Sequence, residues 1–510
     1  MIARRAEAIE LWIWVHARNP QRFRLRLAAL VVLGANMAGA LMMAIDPKLA
    51  LAFLAGLIGG AILVERPLWA IGVLIAGRLT STGATAWVTI GRIHVDLFEL
   101  ALVIAGVAVL AAAIRERYWR FDMRMITWRI PVVGLLCLQS ASVLWCLDRG
   151  EWAGEVLSTV VLLATTLAIT VFIRTWEQAR NLLSVWVLVC LSVAILAAAG
   201  FGVASEDAAH EMSQTGRQGG FGQHPNWYSM NLMYAPLTAL ALGASASTKG
   251  RARLWWFAGF TVAVAQMQSG SRGGTYALFI GVVAMSILHP ALRRKAMQGV
   301  VAVAAAATAT IVLIGGTLGN VTARIFEVQV IMSRGIRLGN WKSCIGMLFD
   351  TYGRGIGAGG YDPALERVNP VLADSQYSYP HGIFWEVIAH YGVIGLWLGL
   401  LFGYRVIKMG VDALRLSLHL PQSTMIAAML ATMMGYGAWS FWEFTIADKP
   451  FWEYLAIYTA VCLSVLEGRD EKTEGDDEPD TDEAVSPRTP TPAEPPAPPP
   501  TGSATPTPSE

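Results

Sequence analysis

His381 stands in Tyr379-Pro380-His381-Gly382, where a polar segment meets the apolar stretch 387–402. The segment leading to it, 316–380, carries Arg324, Arg334, Arg337, Lys342, Arg354 and Arg367. A neutral imidazole with an ordinary pKa near ~6.5 can take a proton from a hydroxyl, and guanidinium groups stay charged and hold phosphate oxygens in a planar fork. Side by side at a membrane boundary they look like an active site that binds a phosphorylated ligand. The other readings of His381 are a ligand for that phosphorylated group and a cap on the helix that follows.

Further candidates lie upstream. Arg272 sits in Gln268-Ser269-Gly270-Ser271-Arg272-Gly273-Gly274, whose glycines are expected to let the backbone bend and admit a bulky headgroup; the plainer reading is an arginine snorkelling to the interface. Arg337 precedes Trp341 by one helical turn, which puts both on one face of an amphipathic helix lying on a membrane surface. Arg334, three residues earlier, is the alternative phosphate ligand. Arg217 in the glycine-rich stretch 216–222 could add a contact, and His224 precedes Pro225-Asn226, a helix-start signal. Glu386 falls roughly 140° around a helix from His381, a poor position for a His–carboxylate pair, and His390 within the apolar run reads as packing.

The elements that must position these residues are membrane helices. The chain has 510 residues, only 15% of them charged, and a positive mean hydropathy, the composition of a polytopic membrane protein. Apolar runs of spanning length are read at 27–45, 49–64, 68–77, 97–113, 131–147, 155–173 and 182–201, then at 226–244, 254–269, 275–289, 298–315, 383–402, 424–440 and 451–466. The expected fold is all-α, a bundle of about 12–14 transmembrane helices with a large outer loop, 316–380, containing short amphipathic helices. Arg18, Arg22, Arg24 and Arg26, then Arg115 to Arg129, then Lys249 to Arg253, Arg293 to Lys295, and Arg405 with Lys408 place one set of loops, and both termini, in the cytoplasm. Residues 202–225, 270–274 and 316–380 then face outward, and their arginines oppose the charge bias.

No cleaved signal peptide is expected in the cytoplasmic segment 1–26, and the transmembrane region is read as 27–466. After it, 467–510 is acidic and then rich in Pro and Thr, a disordered cytoplasmic tail; its Asp480-Thr481-Asp482 is a solvated charge run, not a metal motif. The five cysteines are scattered and read as packing. Gly355-Ile356-Gly357-Ala358-Gly359-Gly360 spells GxGxxG without a βαβ context and reads as flexible backbone. With no metal, P-loop or hydrolase motif in a believable setting, what remains is chemistry without metal or cofactor, or no chemistry.

Three stretches in order, Gln268 to Gly274, Arg337-Leu338-Gly339-Asn340-Trp341-Lys342 and Pro380-His381, resemble the bacterial O-antigen ligases and polymerases; His224-Pro225-Asn226, 355–361 and 391–396 support the resemblance over 220–402. Gly382 departs from the His-Asn that usually ends the family pattern, so acceptor contacts are expected to differ. The resemblance implies an inner-membrane enzyme that transfers a glycan from an undecaprenyl-pyrophosphate carrier to an acceptor hydroxyl at the periplasmic face. His381, Arg272 and Arg337 would be catalytic, with Arg334, Arg217, His224 and Trp341 binding substrate. The acceptor would be lipid A core for a ligase, a growing glycan for a polymerase, or a protein hydroxyl for an oligosaccharyltransferase. Its partners are these lipid-linked substrates and membrane lipids, with no nucleic acid. A polytopic transporter for anions or a lipid-linked intermediate is the reading from another class, and it fits less well because the informative residues gather at the outer rim, not at the bilayer midplane.

Overall fold

The structure is a computed structural model that describes residues 66–80, 88–90, 93–95, 105–106, 108, 126–199, 224–314, 331–373, 379–441, 443 and 448–467. The runs expected at 27–45 and 49–64, most of 97–113, Arg217 and the tail lie outside them. The helices are α1 (Pro67–Thr80), α2 (Arg129–Ala141), α3 (Arg149–Phe172), α4 (Trp176–Ala198), α5 (Pro225–Leu232), α6 (Ala235–Ala244), α7 (Lys249–Gln268) and α8 (Arg272–Leu288). They continue with α9 (Pro290–Ile314), α10 (Ile331–Asp350), α11 (Tyr361–Val368), α12 (Pro370–Ala373), α13 (Ile383–Ser417), α14 (Ser423–Trp439) and α15 (Lys449–Leu466). Among the described residues, α3, α4 and α13 are long and apolar enough to cross a bilayer, and shorter apolar helices include 67–77, 129–144 and 272–288.

Local signals start these helices. Asp148 caps α3 by accepting from the amides of Gly150 and Glu151, and Thr175 with Gln178 forms a capping box on α4. The apolar run at 226–244 is two helices, α5 and α6, because Pro236 at the head of α6 has no amide to continue the ladder. One element departs from an all-α chain: Val88–Ile90 (β1) and Ile93–Val95 (β2) pair antiparallel, as β-branched residues around Gly91-Arg92 favour.

α14 and α15 are buried nearly all round and form the centre of the bundle, with α8, α6 and α13 against α14 and α3, α4 and α13 against α15. Lipid is as apolar as leucine, so close packing and polar pairs hold such helices together. Gly281 and Gly435 let α8 and α14 meet backbone to backbone: a Cβ at Gly435 would overlap the Ala277 carbonyl, and one at Gly281 would crowd Ala431. Trp128 Nε1 donates to Thr459 Oγ1 at 3.0 Å, Thr238 Oγ1 and the Tyr454 hydroxyl are hydrogen-bonded at 2.7 Å, and Tyr458 donates to the Val406 carbonyl at 3.0 Å. Each such bond between membrane helices is worth about 0.6 kcal/mol.

α13 is longer than its apolar run predicts and is broken at Gly392, where φ is 63° and ψ −152°. The break frees backbone groups that a membrane helix must satisfy elsewhere. The glycine-rich loop 353–360 supplies the partners: Ile356 and Gly357 amides donate to the Ala389 and His390 carbonyls, each at 2.9 Å, and the Val393 amide donates to the Gly353 carbonyl at 3.0 Å. The loop is also pinned to the other side, through Ala358 N to Ser142 Oγ at 3.1 Å and Gly359 N to Glu155 Oε1 at 3.0 Å. Gly353, Gly355, Gly357 and Gly359 all have positive φ, and residues 355–360 are buried. The GxGxxG stretch is therefore not flexible backbone but a buried clasp; a Cβ at Gly355 would sit 2.5 Å from the His390 carbonyl oxygen.

Candidate active site

The turn 379–382 hangs from the end of α14, since the Ile383 amide donates to the Ser440 carbonyl at 2.9 Å. Aromatic packing holds it there. Trp341 of α10 stacks on Trp385 with ring centres 5.0 Å apart and donates its indole N–H to the His381 carbonyl at 3.4 Å. Phe441 packs edge-on against both tryptophans. Within this frame His381 takes φ 53°, a left-handed conformation that costs a non-glycine residue on the order of 1 kcal/mol or more.

His381 is 5% exposed, and its ring lies 3.8 Å centre to centre from that of Tyr379 and has neither nitrogen paired among the described residues. Buried polar atoms are ordinarily bonded, so an imidazole held in strain with both nitrogens open is arranged for something that binds. Its pKa is not the ordinary one assumed from sequence. Burial, and then the nearby Arg337 guanidinium, push it down to about 3, so the free site holds a neutral imidazole.

Arg337 projects from α10 and pairs through Nη2 with Glu443 Oε2 at 2.9 Å. The other carboxylate oxygen accepts from Asn226 Nδ2 at 3.3 Å. Asn226 is in the first turn of α5, whose N-cap is His224: its Nδ1 accepts the Asn226 amide at 3.2 Å. His224 thus does the capping that its sequence context announces. Glu443 was not singled out by sequence, because it belongs to no motif and its partner is 106 residues away.

Arg272 opens α8, with Ser271 as N-cap accepting from the Gly274 amide at 3.4 Å. Its flanking glycines do not serve as a flexible approach for a headgroup. A Cβ at Gly273 would overlap the Trp439 indole and one at Gly274 the Ser229 hydroxyl, so they seat α8 against α14 and α5; only Gly270, at φ 63°, uses glycine's conformational freedom. That seating sets Gly273, the residue after Arg272, against Trp439, one residue before the Ser440 carbonyl that holds the His381 turn. The ends of α5, α8 and α14 and the middle of α10 therefore converge. Arg334 lies on α10 one turn before Arg337, Arg217 lies outside the described residues, and Trp341 spends its ring face on Trp385.

The turn, the arginines on α8 and α10 and the break in α13 at Gly392 fall within residues 257–400, which match the family model described as O-antigen ligase. Over that segment the chain is similar to the O-antigen ligases, a family of membrane glycosyltransferase-like ligases and polymerases. No curated protein matches the chain. His224 and Glu443 lie outside the matched segment and are joined to it by the structure.

Proposed function

We propose that the chain transfers a glycan from undecaprenyl pyrophosphate to an acceptor hydroxyl at the periplasmic face of the inner membrane, with the core of lipid A as acceptor, the reaction of an O-antigen ligase. The observation that carries this reading is His381: buried, strained and open at both nitrogens, beside a guanidinium and within the family-matched segment.

The acceptor oxygen attacks the anomeric carbon. The bond from that carbon to the pyrophosphate oxygen breaks, and its electron pair leaves with the carrier pyrophosphate. The hydroxyl proton passes to an open nitrogen of His381, and a single displacement inverts the anomeric centre. Arg337 and Arg272 offset the charge that grows on the leaving group, where low dielectric makes fixed cations most effective. A neutral imidazole whose pKa is lowered first by burial and then by Arg337 is a weak base, but the incoming pyrophosphate brings negative charge against the Arg337 part of that depression. Donor binding thereby raises the basicity of His381 at the moment it is needed. The residues require no metal for this sequence, and transfer is expected to proceed in EDTA.

The test is reconstitution: purified protein, a polyprenyl-pyrophosphate glycan and lipid A core, with lipid products resolved by gel and mass spectrometry and His381→Ala run alongside. Glycan on lipid A core supports the ligase. Longer carrier-linked chains would assign the same site to a polymerase. No product on any lipid acceptor would sink the reading.

A further inference from the structure

We infer that Glu443 is a positioning residue that orders Arg337 for a pyrophosphate group; this rests on the reading of the site as one that binds a lipid pyrophosphate. Glu443 is 8% exposed, and each carboxylate oxygen has one partner from a different helix: Arg337 of α10 and Asn226 of α5. A buried carboxylate of this kind is a poor device for stability, because desolvation consumes most of what the ion pair returns. It is a good device for geometry.

An arginine has five N–H donors in a rigid fork, and the Glu443 pair uses the Nη2 end. Held from that end, the long side chain has lost its rotamer freedom before any ligand arrives, and the remaining donors stay available among the described residues. Arg337 is a third exposed, so those donors can be reached, and its charge already acts on His381. Glu443 cannot follow the ligand and swing away freely, because Asn226 fixes it to α5, at the end whose Ser229 packs on Gly274 of the Arg272 turn. One carboxylate thus ties Arg337 to the helix that packs against the Arg272 turn.

The experiment measures binding of polyprenyl pyrophosphate, without glycan, to the full chain in nanodiscs, with polyprenyl monophosphate as the comparison. Glu443→Ala is expected to weaken pyrophosphate binding by at least about tenfold and the monophosphate by much less. Glu443→Gln keeps an acceptor for Nη2 and is expected to lose only about threefold. In an Arg337→Ala background, Glu443→Ala should add nothing, because the carboxylate acts through the arginine. Unchanged or tighter binding by Glu443→Ala would overturn the inference, the second result showing that the carboxylate masks Arg337. A loss equal in both backgrounds, or equal for both lipids, would overturn it too, by showing a general structural role. Failure of the wild-type chain to bind pyrophosphate would instead strike the proposed function itself.

Discussion

Two histidines nine residues apart share nearly everything that is usually taken to mark a catalytic group. His381 and His390 are 5% and 4% exposed, and both rings have unpaired nitrogens among the described residues. They differ in what surrounds them. His381 sits in a strained turn next to a guanidinium. His390 sits in α13, with its carbonyl bound by Gly357, the Glu155 carboxylate 4.0 Å from Nδ1, and the Tyr361 and Tyr391 rings edge-on to its own. Burial without a partner therefore does not by itself identify a reacting group; the neighbouring cation and the strained backbone separate the two.

The largest effect expected from this contrast is on turnover. His381→Ala should lower transfer by at least about 100-fold with membrane insertion intact, whereas His390→Ala should stay within about threefold once corrected for folded protein. Equal losses at the two positions, measured as initial rates in nanodiscs, would erase the distinction. The next effect is on stability and falls on the His390 side. Gly392→Ala places a Cβ against the Gly353 carbonyl at a positive φ and is expected to cost about 3 kcal/mol, seen as a lowered thermal midpoint, while Gly382→Ala, also at positive φ, should disturb chiefly the His381 turn and therefore activity.

A smaller effect is expected with pH. Because the folded-state pKa of His381 lies below its ordinary value, the group adds stability that is complete above ~6.5 and is lost progressively as pH falls toward about 3. The transfer rate should accordingly show no titration of the free enzyme near pH 6.5, and a kcat/KM profile with an acidic limb there would contradict the depressed value. The smallest change is Trp341→Phe, which keeps the stack on Trp385 and removes only the 3.4 Å bond to the His381 carbonyl; a few-fold loss of rate is expected.

The sequence revealed most helix positions because membrane helices announce themselves by apolar runs, and α3, α4, α8, α14 and α15 fall close to the runs at 155–173, 182–201, 275–289, 424–440 and 451–466. It did not reveal the break in α13, since Gly392 lies in an apolar run that also contains Gly395 and Gly399, and nothing local says which glycine turns. Nor did it show that α13 continues to Ser417, because Arg405, Lys408 and Asp412 end the apolar run although Lys408 and Asp412 pair one turn apart. At the site, His381 stood out by type and place, and Arg272 and Arg337 largely through the motifs that carry the family resemblance. Glu443 and the role of the glycine clasp depended on contacts between distant segments, which spacing does not encode.

The clasp has a kinetic consequence. Amides in a surface loop ordinarily exchange their hydrogens with solvent quickly, but those of Ile356, Gly357 and Val393 are bound across the break in α13 and can open only when the loop and the helix part. In deuterium they should exchange as slowly as the interior of α13. A peptide covering 353–360 would then act as a clock for the upper half of that helix, recording each time the segment beneath His381 comes loose.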